Sequence, residues 1–277
     1  MNPIGTALWY VERHFADELT LEQIASHAGV TPHYLTRAFG AVSGRSIMRY
    51  VRGRRLSEAA RELANGAPDI LAVALSIGYG SHEAFTRAFR EQFGLTPESL
   101  RERRDLTSLQ LVEPIKMDST PLADLEAPRF ETGKPIFIAG LAERYLCETS
   151  AGIPAQWQKF LPYFGSVPDQ VGRTAYGVCY NFDDAGNFDY LCGVEVSSFS
   201  RTPENFARLR LAAQRYAVFA HRDHVSQIRR TWSTIWTQWL PASGHAVGDA
   251  PHFELYPEAF DSRTGTGGLE IWVPLQR

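Results

Sequence analysis

Two stretches of this 277-residue sequence present matching sets of hydrogen-bonding side chains at helical spacing. In the first, His33, Thr36, Arg37 and Gly40 share a face; in the second, His82, Glu83, Thr86, Arg87 and Arg90 do. These are short or fork-shaped polar groups near a helix N-terminus. A guanidinium placed there can donate two parallel N–H bonds to guanine O6 and N7, the pairing that major-groove reading requires. One such helix would be an ordinary amphipathic surface helix. Two, with arginine at the same place, point to double-stranded DNA.

Other residues capable of chemistry are sparse. Cys147, Cys179 and Cys192 are odd in number and lack CxxC spacing, so they read as buried free thiols of a reducing, cytoplasmic protein. His221 and His224 stand three apart without further ligands nearby in sequence, so no metal site is expected. There is no GxSxG, HExxH or Walker loop, and Gly265-Thr266-Gly267-Gly268 reads as a hairpin turn rather than a phosphate cradle. No cofactor is expected. Residues 1–15 contain Glu12 and Arg13 and no apolar run, unlike a signal peptide, and no stretch approaches the roughly 18 apolar residues of a membrane span.

The DNA-reading stretches sit in an internal repeat. Ile24-Ala25-Ser26-His27-Ala28-Gly29-Val30 returns as Val73-Ala74-Leu75-Ser76-Ile77-Gly78-Tyr79, and Leu35-Thr36-Arg37-Ala38-Phe39 returns as Phe85-Thr86-Arg87-Ala88-Phe89. Each unit reads helix, glycine turn, helix. Thr20-Leu21-Glu22-Gln23 is a capping box, and Thr31-Pro32, Ser81 and Thr96-Pro97 open further helices. Leu35, Ala38, Phe39 and Val42 form one inward face; Phe85, Ala88, Phe89 and Phe93 form the other. A single helix over Ile47–Leu63 links the units and stops at Asn65-Gly66.

Charge supports local rather than indiscriminate contact with nucleic acid. The whole chain carries −3, with 13 basic against 12 acidic residues over 1–105 and 15 against 19 beyond. Within 45–61, however, six arginines face only Glu58, and Arg45, Arg49 and Arg52 are the candidates for phosphate contact. Residues 3–105 resemble the AraC-type DNA-binding domain. The resemblance is carried by Ala25 and Gly29, the linking helix, Ile77-Gly78-Tyr79, and the closing Phe89-x3-Phe93-Gly94-x-Thr96-Pro97. It implies two recognition helices on one linking helix, entering successive major grooves about 34 Å apart. It further implies base contacts from His33, Thr36 and Arg37 in the first, and from His82, Glu83, Thr86 and Arg87 in the second.

Beyond residues 106–124, read as a linker with a short strand at 109–115, the pattern becomes α+β. Strand 136–145, helix 154–164 and strands 174–180 and 190–196 make one half; strand 214–221, helix 225–239 and strands 252–256 and 269–273 make the other. Two strand-helix-strand-strand halves pair their sheets and leave a groove at their junction. The expected chain is therefore multidomain, an all-α double helix-turn-helix head over 1–105 joined to an α+β domain over 125–277.

This second domain resembles the GyrI-like effector-binding domain. The carrying residues are Tyr176-Gly177-Val178, Cys192-Gly193-Val194-Glu195-Val196, Tyr216-Ala217-Val218-Phe219-x-His221, Ile235-Trp236-x-x-Trp239-Leu240-Pro241, Phe253-Glu254-x-Tyr256 and Ile271-Trp272-Val273-Pro274. An AraC-type head before such a domain is the order of right-origin-binding-protein-like regulators. The resemblance implies a small-molecule effector, bulky, aromatic and often cationic, met by a buried carboxylate at Glu254. That setting is physically reasonable, since a carboxylate in a dry aromatic cleft is costly without a partner. The competing partner is an internal arginine such as Arg173 or Arg215. Glu195 is a second candidate carboxylate. Trp157, Tyr176, Tyr256 and Trp272 are wall residues if their strands or helices turn them to the groove, and core otherwise; Phe219 and Trp239 read as core. The expected protein is a transcription regulator without catalytic residues, acting with RNA polymerase as partner and with no membrane. Two alternatives stay open: a GyrI-like hydrolase using Glu254 and Tyr256, and a partner-docking domain that takes no ligand.

Overall fold

The structure is a computed structural model that describes residues 3–115, 124–146, 152–183 and 185–276. The chain separates into two compact units, residues 1–35 with 46–118 and residues 36–45 with 119–277.

The first unit is helical: α1 (Pro3–His14), α2 (Leu21–His27), α4 (Ile47–Ala64), α5 (Ile70–Ser76), α6 (His82–Phe93) and α7 (Pro97–Arg103). The helix between α2 and α4, α3 (Pro32–Ser43), divides between the units after Leu35. Local chemistry sets the helix ends. The Thr20 hydroxyl accepts from the Gln23 N–H (3.3 Å) while the Gln23 side chain accepts from the Thr20 N–H (2.9 Å), closing the capping box. Thr20→Ala should lower stability by about 1 kcal/mol, measurable as a shift in the urea midpoint. Gly29 (φ +69°) and Gly78 (φ +82°) take the left-handed conformation at equivalent turns of the repeat, where a side chain would be strained. Ser81 and Thr96 cap α6 and α7.

Leu56, Ala59, Ala60 and Leu63 of α4 meet Ile70, Val73 and Ala74 of α5, Phe85, Ala88 and Phe89 of α6, and Leu100 of α7. Edge-on ring contacts run Tyr79–Phe85–Phe89–Phe93 through this core. Arg54 is buried; it donates to the carboxylates of Glu12 and Glu58 and to the Val112 carbonyl. The expected strand at 109–115 does not form. The Val112 N–H goes to Ser57 Oγ (2.8 Å) and the Ile115 N–H to the Tyr50 hydroxyl (3.1 Å), so α4 side chains take the amides a partner strand would have taken. Leu106, Leu109 and Leu111 pack on the helical core.

The second unit carries an eight-stranded antiparallel sheet: β1 (Arg129–Gly133), β2 (Ile136–Leu146), β3 (Gln170–Tyr180), β4 (Asn187–Val196), β5 (Ala207–Leu211), β6 (Gln214–His221), β7 (His252–Tyr256) and β8 (Leu269–Leu275). Its order is β1-β6-β8-β7-β3-β4-β2-β5. Strands β2, β3 and β4 with helix α8 (Ile153–Phe160) form one half; β6, β7 and β8 with α9 (Ile228–Thr234) form the other. The halves join where β3 pairs β7, Gly177 opposite Glu254. Helix α9 continues through a π-helical turn, Ile235–Trp239, to Ser243. Edge strands β1 and β5 lie outside the two expected halves. Among the described residues no helix is long and apolar enough to cross a membrane. Cys179 and Cys192 are buried, and no disulfide occurs among the described residues; Cys147 lies outside the described residues.

Candidate ligand pocket and DNA-reading helices

Helix α6 begins at Ser81, whose hydroxyl accepts from the Ala84 N–H (3.2 Å). With Phe85, Ala88 and Phe89 buried, helical geometry turns Glu83, Arg87 and Arg90 out to solvent; His82 and Thr86 are half-buried. His82 Nε2 meets a Glu98 carboxylate oxygen at 3.0 Å. The Glu83 carboxyl is held below its ordinary range by its own backbone amide and the Ser81 hydroxyl, the electrostatics of a helix N-terminus. Of the proposed phosphate-contact arginines, Arg49 and Arg52 are exposed and Arg45 is half-buried; Arg52 is paired with Glu91.

The corresponding residues of α3 are placed differently. His33 is half-buried, while Thr36 and Arg37 are only 7 % and 6 % exposed. Arg37 donates to His252 Nδ1 (2.8 Å) and to the Ala250 carbonyl (3.1 Å), and its guanidinium lies 4.7 Å from the centre of the Phe182 ring. Burial lowers its pKa to about 10, with Cys179 and Asp249 opposing, so it stays charged at neutral pH. Because an arginine cannot accept, His252 Nδ1 must, which fixes that ring as the neutral tautomer protonated on Nε2.

Beside this contact the second unit holds a cavity of about 770 Å³, within the range that encloses drug-sized molecules. Its floor is the sheet at the β3–β7 junction; α8 contributes Trp157, and α9 and the following turn contribute Trp232 and Trp236. Glu254 of β7 sits there at 8 % exposure. One carboxylate oxygen accepts from the hydroxyls of Tyr256 (2.8 Å) and Tyr190 (3.0 Å), and the other from Trp232 Nε1 (3.1 Å). Trp157 Nε1 donates in turn to the Tyr190 hydroxyl (3.0 Å), and the Trp157 ring stands edge-on to Tyr256 at 5.0 Å. Burial raises the Glu254 pKa above 4.5 while the three donors pull it down. Among the described residues no cation forms an ion pair with it. Arg173 pairs instead with Glu258, and Arg215 lies over Phe130.

Of the six residues singled out for ligand contact, Glu254, Trp157 and Tyr256 line this cavity. Glu195, Tyr176 and Trp272 do not. Strand alternation sends them to the opposite face of the sheet, where Tyr176 and Trp272 pack with Tyr216 and Phe253. The Tyr176 hydroxyl reaches Glu195 (3.4 Å), and Trp272 Nε1 donates to Glu270 (3.0 Å). Sequence reasoning missed Tyr190, Trp232, Trp236 and His252. The signals were there: His252 and Tyr256 share parity with Glu254 on β7, and Trp232 and Trp236 are one helical turn apart. Phe219 and Trp239 pack edge-on at 4.8 Å. His221 hydrogen-bonds Thr231 and the His224 carbonyl, and no cluster of three metal-ligating side chains occurs among the described residues.

Comparison with known proteins gives two family matches. Residues 126–276 match the GyrI-like small molecule binding domain, and residues 24–103 match a helix-turn-helix domain. The right origin-binding protein of Escherichia coli K12 is 31% identical over 99% of this chain and 98% of its own. Transcriptional regulator Rob of Salmonella typhimurium LT2 is 23% identical over the same shares. Regulatory protein SoxS of Escherichia coli K12 is 35% identical over 94 residues, covering 34% of this chain and 88% of its own.

Proposed function

Since the chain belongs to the AraC-type DNA-binding transcriptional regulators that carry a GyrI-like small-molecule binding domain, we propose that its effector is a bulky aromatic cation bound at Glu254. The observation that carries this reading is a carboxylate buried among Trp157, Tyr190, Trp232 and Tyr256 without a cationic partner among the described residues. A desolvated carboxylate gains most from a charge brought in with its own apolar surface, and the ring faces attract the same guest. DNA is read through α6 and α3, with Glu83, Arg87, His82 and Thr86 on the first of these and His33, Thr36 and Arg37 on the second. Arg45, Arg49 and Arg52 meet phosphates, and RNA polymerase is the partner on which the bound regulator acts.

Fluorescence titration of the full chain with rhodamine 6G tests the sensor reading. Saturable one-to-one binding is expected, and no binding would remove it. Capture of genomic fragments with and without rhodamine 6G then identifies the DNA and the direction of the response. Arg87→Ala should cost about 1–3 kcal/mol of discrimination between sites with an unchanged melting temperature, because Arg87 is exposed. Undiminished discrimination in competition binding assays would take Arg87 out of base reading.

A further inference from the structure

Arg37 is a buried guanidinium with an incomplete set of partners. Two of its nitrogens donate, to His252 and to the Ala250 carbonyl, while its Nε has no hydrogen-bond partner among the described residues. Among those residues no carboxylate forms an ion pair with it either. At hydrogen-bond and ring-contact distance its positive charge is met by a neutral imidazole and the Phe182 ring, with the Asp249 carboxylate acting without an ion pair; the ring and imidazole are acceptors an organic cation would use equally well. Arg37 lines the same cavity as Glu254, and His252, its hydrogen-bond partner, stands two residues before Glu254 on the same face of β7.

We infer that Arg37 is the resident cation of this cavity and that a cationic effector binds by displacing it, an inference that rests on the cavity being the effector site. Two like charges in one desolvated space repel far more strongly than in water, so the guest and Arg37 compete. A guanidinium committed to His252 and Ala250 cannot at the same time donate to guanine. Effector binding therefore frees Arg37 for a base edge, and by linkage DNA that holds Arg37 strengthens effector binding by the same factor. The apparent affinity of the DNA-free protein is reduced by the fraction of molecules in which Arg37 is seated.

The test is rhodamine 6G titration of the full chain without DNA, comparing wild type with Arg37→Met, which keeps an unbranched side chain and removes the charge. About tenfold tighter binding by the variant is expected. Fluorescein, an anion on the same xanthene frame, should gain nothing from the substitution, and Arg37→Lys should bind rhodamine 6G like wild type. If wild type binds rhodamine 6G and Arg37→Met binds it equally or more weakly, Arg37 is not a competitor and the cavity remains an effector site. Binding by neither protein removes the effector site and this inference together. A second measurement needs no variant: wild type on a captured DNA fragment should bind rhodamine 6G about tenfold more tightly than free protein. Equal affinities with and without DNA would overturn the displacement.

Discussion

Glu254→Gln should weaken rhodamine 6G binding by about 100-fold, or roughly 2.7 kcal/mol, while leaving a folded protein. The carboxylate is buried, so a cation seated beside it gains an interaction that solvent does not screen. Removing one partner of such a pair costs roughly 2–5 kcal/mol. The fold survives because glutamine keeps the shape and one acceptor. Its carbonyl still receives a bond from the cluster of Tyr190, Tyr256 and Trp232, and the tyrosine hydroxyls can rotate to accept from its amide. Equal titration curves for variant and wild type would place charge recognition elsewhere.

The same carboxyl makes stability and binding depend on pH in opposite senses. Its folded pKa lies above 4.5 because burial disfavours the anion. The folded chain therefore holds this proton more tightly than the unfolded chain does. Its contribution to stability is full below the ordinary carboxyl range and is lost as pH rises through the raised folded value. Urea midpoints of wild type relative to Glu254→Gln should fall across that window and level off above it. Rhodamine 6G affinity should rise across the same window as the anion forms, and Glu254→Gln should show no such rise. A wild-type affinity independent of pH there would mean that Glu254 does not change charge.

Capping explains why the helical head was legible. Thr20 and Gln23, Ser81, and Thr96 before Pro97 act within one turn of chain, and Gly29 and Gly78 mark equivalent turns of a repeat. The strand-helix-strand-strand halves were legible for a related reason, since periodicity and turn residues are local signals. Edge strands β1 and β5 were not: Arg129–Gly133 is almost wholly exposed and rests on a single partner, β6, so its sequence carries no buried alternation. The site was half legible. Parity along one strand is local and groups His252, Glu254 and Tyr256, but which face of β3, β4 and β8 joins them depends on register between strands far apart in sequence. Tyr190, Trp232 and Glu254 converge from separate elements, and Tyr176, Glu195 and Trp272 fall on the other face for the same reason. Arg37 is the extreme case. Helical amphipathicity gives it an outward position, and the groups it hydrogen-bonds, at Ala250 and His252, are 213 and 215 positions away in the chain.

Gly177→Ala should disrupt both the fold and the pocket through one methyl group. Gly177 lies on β3 directly opposite Glu254, and the reason for glycine there is space rather than backbone conformation. A Cβ would stand 2.1 Å from the Tyr190 hydroxyl oxygen and 2.9 Å from both the ring carbon bearing it and a Glu254 carboxylate oxygen. Tyr190 is 1 % exposed and its hydroxyl is held by Trp157 and Glu254, so any shift of the ring strains those hydrogen bonds. Overpacking of this kind costs roughly 1–3 kcal/mol. Here it also separates Tyr190 from Glu254, so rhodamine 6G affinity should fall by about tenfold, the loss of one hydrogen bond to a charged group. Adding Tyr190→Phe removes the oxygen that the methyl meets first, and should restore about 1 kcal/mol of stability without restoring affinity. Gly140→Ala makes the contrast: its Cβ would stand 2.1 Å from the Cys192 carbonyl oxygen and 2.5 Å from the Gly193 Cα, both backbone atoms, so no side-chain change relieves it. Urea denaturation of the three variants and the double variant separates these outcomes. If Tyr190→Phe fails to rescue Gly177→Ala, the clash is not with the tyrosine, and the close approach of β3 to this cluster has another cause.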